Sequence, residues 1–188
     1  MNMKLMLLPI ISFLPAMFAY AQDQSTKELT VVPSVDLNKY SGMWYEIARL
    51  PNRFQKQCIG DVTATYFIQD DGTIKVINRC RNEKGKIEEA EGQAKRVSDD
   101  SSNAKLKVRF APKFLSFLPF VWGNYWIIDL DADYRYAVVG EPDRKYLWIL
   151  SRTPVLAEDT LQSILDRIKA KGYDLVQLIR TKQSGNIK

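Results

Sequence analysis

The chain has 188 residues, 46% of them hydrophobic and 26% charged, and it contains no histidine. That length suits one domain with a sizeable core. Without histidine there is no Ser-His-Asp or Cys-His nucleophile pair, no proximal-histidine haem site and no histidine-based zinc centre, and two cysteines are too few for a four-thiolate metal site. A binding protein without cofactor or metal is the default expectation, and an enzyme is not. The formal charge of +5 is spread along the chain with no basic run and no nucleic-acid motif, so no nucleic-acid partner is expected.

Residues 1–21 carry the pattern of a secretory signal peptide. Lys4 gives the positive start, Leu5 to Phe18 the apolar stretch, and Ala19-Tyr20-Ala21 the small-x-small cleavage site. A membrane anchor fits less well, because the apolar run is short for a bilayer core of about 30 Å and holds Pro9 and Pro15. No cysteine stands near the cleavage site, so no N-terminal lipid anchor is expected. Residues 22–35 are polar and aperiodic, and suggest a loose arm.

Eight strands follow, near 44–50, 61–68, 73–80, 87–96, 104–110, 124–130, 134–140 and 145–151. Asp70-Asp71-Gly72 marks a tight hairpin. The second strand sets Val62, Ala64, Tyr66 and Ile68 against Asp61, Thr63 and Thr65, and the next three alternate in the same way. One wet and one apolar face cannot make a parallel sheet buried on both sides; they suit an antiparallel sheet curled around its apolar face. The inward set of the fourth strand is Ala90, Gly92 and Ala94, all small. Either they leave room for a ligand, or larger residues of the opposite wall fill it.

A helix is predicted over 157–171, with Leu161, Ile164, Leu165 and Ile168 on one stripe and Gly172 as its stop, so it should lie on the barrel wall. Cys58 precedes the second strand and Cys80 ends the third, on neighbouring strands of one hairpin. In an exported protein that placement predicts a disulfide.

Gly42-Met43-Trp44-Tyr45-Glu46 resembles the glycine-x-tryptophan opening of the lipocalins. Ala132-Asp133-Tyr134 resembles their second motif, with alanine where threonine is usual, and Leu147 to Pro154 resembles the third, ending in Arg152. The wording is similar to the bacterial outer-membrane lipocalin and apolipoprotein D branch. The resemblance implies an all-β, eight-stranded antiparallel up-and-down barrel over 36–180 with one C-terminal α-helix on its wall, followed by a flexible tail at 181–188. Gly42, Trp44, Asp133, Tyr134 and Arg152 then have structural roles. Arg152 stacked on the Trp44 indole would seal the narrow end.

The resemblance also places the segment 111–122 at the open mouth. It carries Phe114, Leu115, Phe117, Leu118, Phe120, Val121 and Trp122, unusual for a loop in water. Either it folds over the mouth as a plug, or it touches a membrane or an incoming lipid tail. Cavity-lining residues are expected to be Tyr66, Asn78, Val108, Phe110 and Trp148. Trp126 and Ile128 join them because the other face of that strand would bury Asp129. Tyr66 and Asn78 are the candidates for orienting a head group, or else they make internal hydrogen bonds of the packed barrel. The family implies a fatty acid or lysophospholipid as partner, and an exported, periplasmic protein associated with the outer membrane. Two alternatives stay open: a thiol enzyme using an unpaired Cys58 or Cys80, and a protein-interaction module using the mouth loop. Oligomeric state is not legible in the sequence.

Overall fold

The computed structural model describes residues 28–184, so the expected signal peptide lies outside the described residues. Eight antiparallel strands run β1 (Gly42–Arg49), β2 (Cys58–Ile68), β3 (Ile74–Asn82), β4 (Ile87–Arg96), β5 (Lys105–Arg109), β6 (Gly123–Leu130), β7 (Tyr136–Gly140) and β8 (Leu147–Ser151). Each pairs with its sequence neighbour, and β1 pairs with both β8 and β2, which closes the barrel. A short helix α1 (Leu37–Tyr40) precedes them, α2 (Glu158–Ala170) follows, and a two-residue strand β9 (Ile179–Arg180) adds to β1. The predicted architecture is the observed one.

Two apolar clusters follow from the alternation. Inside the barrel, Trp44, Ala64, Tyr66, Val76, Leu106, Ile127, Val139 and Leu150 pack together. Outside it, Leu161, Ile164 and Ile168 of α2 are buried against Ile47, Ile128, Val138, Leu147 and Ile149. Burying those three helical side chains contributes roughly 1.5–3 kcal/mol each, which holds a helix that lacks a side-chain N-cap. No described helix is long and apolar enough to cross a membrane.

Both ends of the described segment, 28–35 and 179–184, are tied down where the sequence suggested freedom. Leu29 and Val35 are buried, and the arm is pinned by Val32 N–H to the Ile127 carbonyl (3.0 Å) and Val35 N–H to the Ser102 carbonyl (2.8 Å). Its apolar residues thus cross the narrow end instead of hanging loose. At the other terminus, β1 and β2 pair only from Gly42↔Tyr66 to Tyr45↔Thr63. Above that, 179–184 fills the gap. The Lys182 carbonyl accepts from Asp61 N–H (2.7 Å), and the Gln183 amide donates to the Glu46 and Val62 carbonyls (2.8 and 2.9 Å). Gly60 permits this approach: a Cβ there would lie 2.8 Å from the Lys182 carbonyl oxygen. Residues 181–184 of the expected tail 181–188 complete the wall, and 185–188 lie outside the described residues.

Candidate functional site

The narrow end is built from the three motifs. Arg152 lies 3.7 Å over the Trp44 ring and donates to the carbonyls of Met43 (2.9 Å), Lys39 (2.6 Å) and Tyr40 (3.2 Å). Trp44 Nε1 donates to the Tyr40 carbonyl at 2.8 Å. Gly42 sits at φ +88°, a conformation costly for any side chain, with Arg152 Nη1 3.5 Å from where a Cβ would be. Tyr134, at φ +59°, accepts the Asp36 N–H on its hydroxyl (2.8 Å). Asp133 has an exposed side chain and enters the turn through its N–H, and the acid that organises the turn is Asp131, which accepts from Asp133 N–H, Arg135 N–H and the Arg135 guanidinium. The guanidinium bond outweighs burial and holds the Asp131 carboxyl below its ordinary value.

Above the closure the lower barrel is filled. Tyr66 faces inward as expected, but its hydroxyl is 2.8 Å from that of Tyr125, which is 2.7 Å from that of Tyr40. Burial pushes the Tyr66 hydroxyl up to about 12 and those of Tyr40 and Tyr125 well above their ordinary value, so all three stay neutral. Tyr66 is therefore committed to packing, the second of the roles open to it.

The upper interior is different. Asn78, Val108 and Trp148 share the inward face yet are only half-buried, and Ala90, paired with Asn78, is exposed. Solvent reaches the inner wall there, whereas the lower barrel is packed. Asn78 Oδ1 is buried without a hydrogen-bond partner among the described residues. Phe110 lies at the rim, 44% exposed, with its ring against Gly92, so it covers part of the space that the small residues of β4 leave.

Trp126 and Ile128 are not cavity residues. Both pack in the outer cluster beneath α2, while Tyr125 and Ile127 point inward. A register shift between Ile127 and Asp129 in the β6–β7 pairing inserts an extra residue, which turns Asp129 outward to Arg167 (2.8 Å) without burying it. A second shift, between Glu46 and Ala48, does the same in β1. Glu46 pairs with inward Leu150 and Arg49 with inward Trp148, so an acid and a base that strict alternation would separate share the inner face. Burial raises the Glu46 carboxyl, against bonds from Thr181 and Gln55 and the nearby Arg49. Gln55 links it to the cavity, donating to Glu46 (2.7 Å) and accepting from Trp148 Nε1 (2.8 Å).

The mouth segment folds into two turns of 3-10 helix, Lys113–Leu115 and Pro119–Val121. Trp122 anchors it on the outer wall. Lys95 Nζ is 4.4 Å and the Arg109 guanidinium 5.2 Å from its ring, and its Nε1 donates to the Ser116 carbonyl (2.8 Å). Leu115, Leu118 and Val121 are half-buried, while Phe114, Phe117 and Phe120 are 75%, 77% and 80% exposed. Those three phenylalanines plug nothing.

Cys58 and Cys80 form the predicted disulfide, so neither supplies a free thiol. Among the described residues no group of acidic or cysteine side chains could hold a metal ion.

A lipocalin-like domain model matches residues 35–183. The chain is 43% identical to temperature-induced lipocalin-1 of Arabidopsis thaliana over 84% of both chains, and 41% identical to outer membrane lipoprotein Blc of Citrobacter freundii over 95% of this chain and 98% of that one. Apolipoprotein D of Mus musculus is 32% identical over 82% of this chain and 80% of its own. Among solved structures, insecticyanin from the tobacco hornworm Manduca sexta superposes with a TM-score of 0.65 at 24% identity, over 84% of this chain and 86% of that one, a likeness of fold.

Proposed function

The chain belongs to the lipocalin family, which binds small hydrophobic ligands, and on that premise we propose that it shelters or carries a long-chain amphiphile, a fatty acid or a lysophospholipid, in the upper barrel. The observation that carries this reading is the contrast within one barrel. Below, a closed tyrosine and tryptophan core; above, an inward face of Val108, Trp148 and Asn78 that solvent reaches. The mechanism is partition: each methylene moved from water to that face gains about 0.8 kcal/mol, so longer tails bind more tightly. In this reading Asn78 Oδ1, which has no hydrogen-bond partner among the described residues, accepts from a hydroxyl on the ligand. An unpaired thiol was the basis of the enzyme alternative, and the disulfide removes it.

The three exposed phenylalanines favour a companion reading, that the mouth segment touches a membrane surface when ligand enters or leaves. The name of the Citrobacter relative supports placing that surface in the bacterial envelope. The test of the carrier reading is native mass spectrometry and solvent extraction of the purified protein, followed by titration of the delipidated form with oleate and with lysophospholipid. Saturable tryptophan quenching that is lost in Trp148→Phe is the expected result. No saturable binding of either ligand would falsify it.

A further inference from the structure

At the rim of the barrel lies a groove of about 550 Å³ whose lining includes Arg49, Arg53, Gln55, Lys56, Lys145 and Tyr146, contributed by β1 and the β1–β2 and β7–β8 connections. Among the described residues four cations line it and no acidic residue does. Arg53 and Lys56 are exposed and make no ion pair among the described residues, and Lys145 Nζ has only exposed Asp143, 3.6 Å away. Arg49 and Lys145 each have one acidic neighbour, so the positive potential that is left at the rim comes chiefly from Arg53 and Lys56.

Arg49 gives the groove a fixed inner wall. The shift in β1 turns it to the inner face beside Trp148, where it is 8% exposed. Its Nε lies 3.3 Å from the Glu46 carboxylate but makes no hydrogen bond. Aromatic rings lead inward from the same place. Phe54 packs on Tyr146 with centroids 5.5 Å apart, and Tyr146 stacks on Trp148 at 6.0 Å and 27°. Gln55, bonded to both Trp148 and Glu46, holds the floor between charge and cavity. A molecule that follows this path meets cations first and an apolar interior next. Its polar end must then be anionic.

We propose that this groove is the head-group subsite of the barrel and takes the carboxylate or phosphate of an amphiphile whose tail lies against Trp148. The assignment rests on the carrier reading above and adds the sign of the head group to it. Arg53, Lys56 and Lys145 meet the anion at the rim, and Arg49 meets it at the inner edge.

Two ligands with one tail test it: 1-oleoyl lysophosphatidate and 1-oleoylglycerol, titrated into the delipidated protein, with inorganic phosphate as a tail-free probe. The wild type should prefer the phosphate-bearing lipid by about tenfold or more, as charge-assisted bonds imply. In Arg53→Gln/Lys56→Gln/Lys145→Gln that preference should collapse toward one. Lys84→Gln/Lys86→Gln, which lowers the charge of the β3–β4 loop instead, should keep it. Equal affinity for the two lipids in the wild type overturns the subsite while leaving the carrier reading intact. A preference that survives the triple substitution, or that both variants lose alike, also overturns it. If inorganic phosphate alone displaces the lysophosphatidate at matched concentration, the groove is a site for free anions and the head-group assignment falls. If neither lipid binds the wild type, the carrier reading has failed and the subsite with it.

Discussion

Arg152 and Trp44 form the lock of the narrow end: the guanidinium sits 3.7 Å from the indole and spends its donors on backbone carbonyls of Lys39, Tyr40, Met43 and Tyr134. A cation over an aromatic face, with its remaining donors fixed, is a job for a planar fork and not for an ammonium. Arg152→Ala should therefore lower stability by roughly 2–4 kcal/mol in urea unfolding, from the lost stacking and the carbonyls left without donors. Arg152→Lys should recover less than half of that. Full recovery by lysine would show that charge alone matters at this position.

The Cys58–Cys80 disulfide joins the mouth ends of β2 and β3 across a sequence separation of 22. In the chain-entropy account, a loop of that size stabilises by about 3 kcal/mol. Cys58→Ser/Cys80→Ser should lower the unfolding free energy by that order, and the wild type in reductant should match the double variant. The Trp44–Arg152 closure lies at the other end of the barrel, so the double variant should keep its near-ultraviolet circular dichroism at low denaturant. A change below about 0.5 kcal/mol would count against the entropic account.

Two buried carboxylates, both bonded to the C-terminal segment, give opposite pH dependences. Burial pushes the Asp61 carboxyl up, but bonds from Ser184 N–H (2.6 Å), its hydroxyl (2.9 Å) and Arg81 (2.6 Å) outweigh it and hold it below the ordinary 3.8. The unfolded chain then takes up the proton first, so the Asp61 contribution is complete above pH 3.8 and is lost as pH falls through the lower folded value. Glu46 is raised above 4.5 by burial, so folded Glu46 takes its proton first. Its contribution is complete below pH 4.5 and declines as pH rises toward the folded value. Asp61→Asn should flatten the acid limb of a stability-versus-pH curve, and Glu46→Gln should remove the decline above it. Protection of the Ser184 amide against hydrogen exchange, relative to its intrinsic rate at each pH, should fall on the acid limb in the wild type. Identical curves for all three proteins would overturn the assignment.

What the sequence could show depended on regular alternation. Val108, Trp148 and Asn78 lie on strands or strand portions where period two holds, and their inward placement followed from it. Trp126 and Ile128 went wrong because one extra residue near Ile127 reverses the parity of the strand. The signal was there: strict alternation puts Asp129 on the same face as Tyr125 and Ile127, so that face buries an acid and the other turns those two bulky side chains out of the barrel, and neither is comfortable without a shift. Arg49 was missed for the same reason on β1, where the shift near Ile47 brings it inward. The closing of the β1–β2 gap by 179–184 is long-range pairing that no local pattern announces. The resemblance points to Asp133 as a structural residue of this motif but not to the role of Asp131 two positions before it. Only the backbone shows which carboxylate faces Arg135 and the turn N–H groups.

The mouth segment gives the sharpest separation between folding and function. Phe117 and Phe120 are 77% and 80% exposed, so serine at both positions removes almost no buried surface and should change stability by less than about 0.5 kcal/mol. In water-to-bilayer transfer the same two side chains are worth roughly 1.5–3 kcal/mol each, so Phe117→Ser/Phe120→Ser should reduce co-sedimentation with anionic vesicles by more than about tenfold. Trp122→Ala tests the anchor. It removes a ring held between Lys95 and Arg109, and should cost stability and free the segment, with the phenylalanines still present to partition. The two variants must differ: the first folds and does not bind vesicles, the second is less stable and still binds them. Undiminished vesicle binding by the double serine variant would exclude the phenylalanines as the membrane contact. If that variant instead loses a co-purifying protein, the mouth segment is a protein-binding surface.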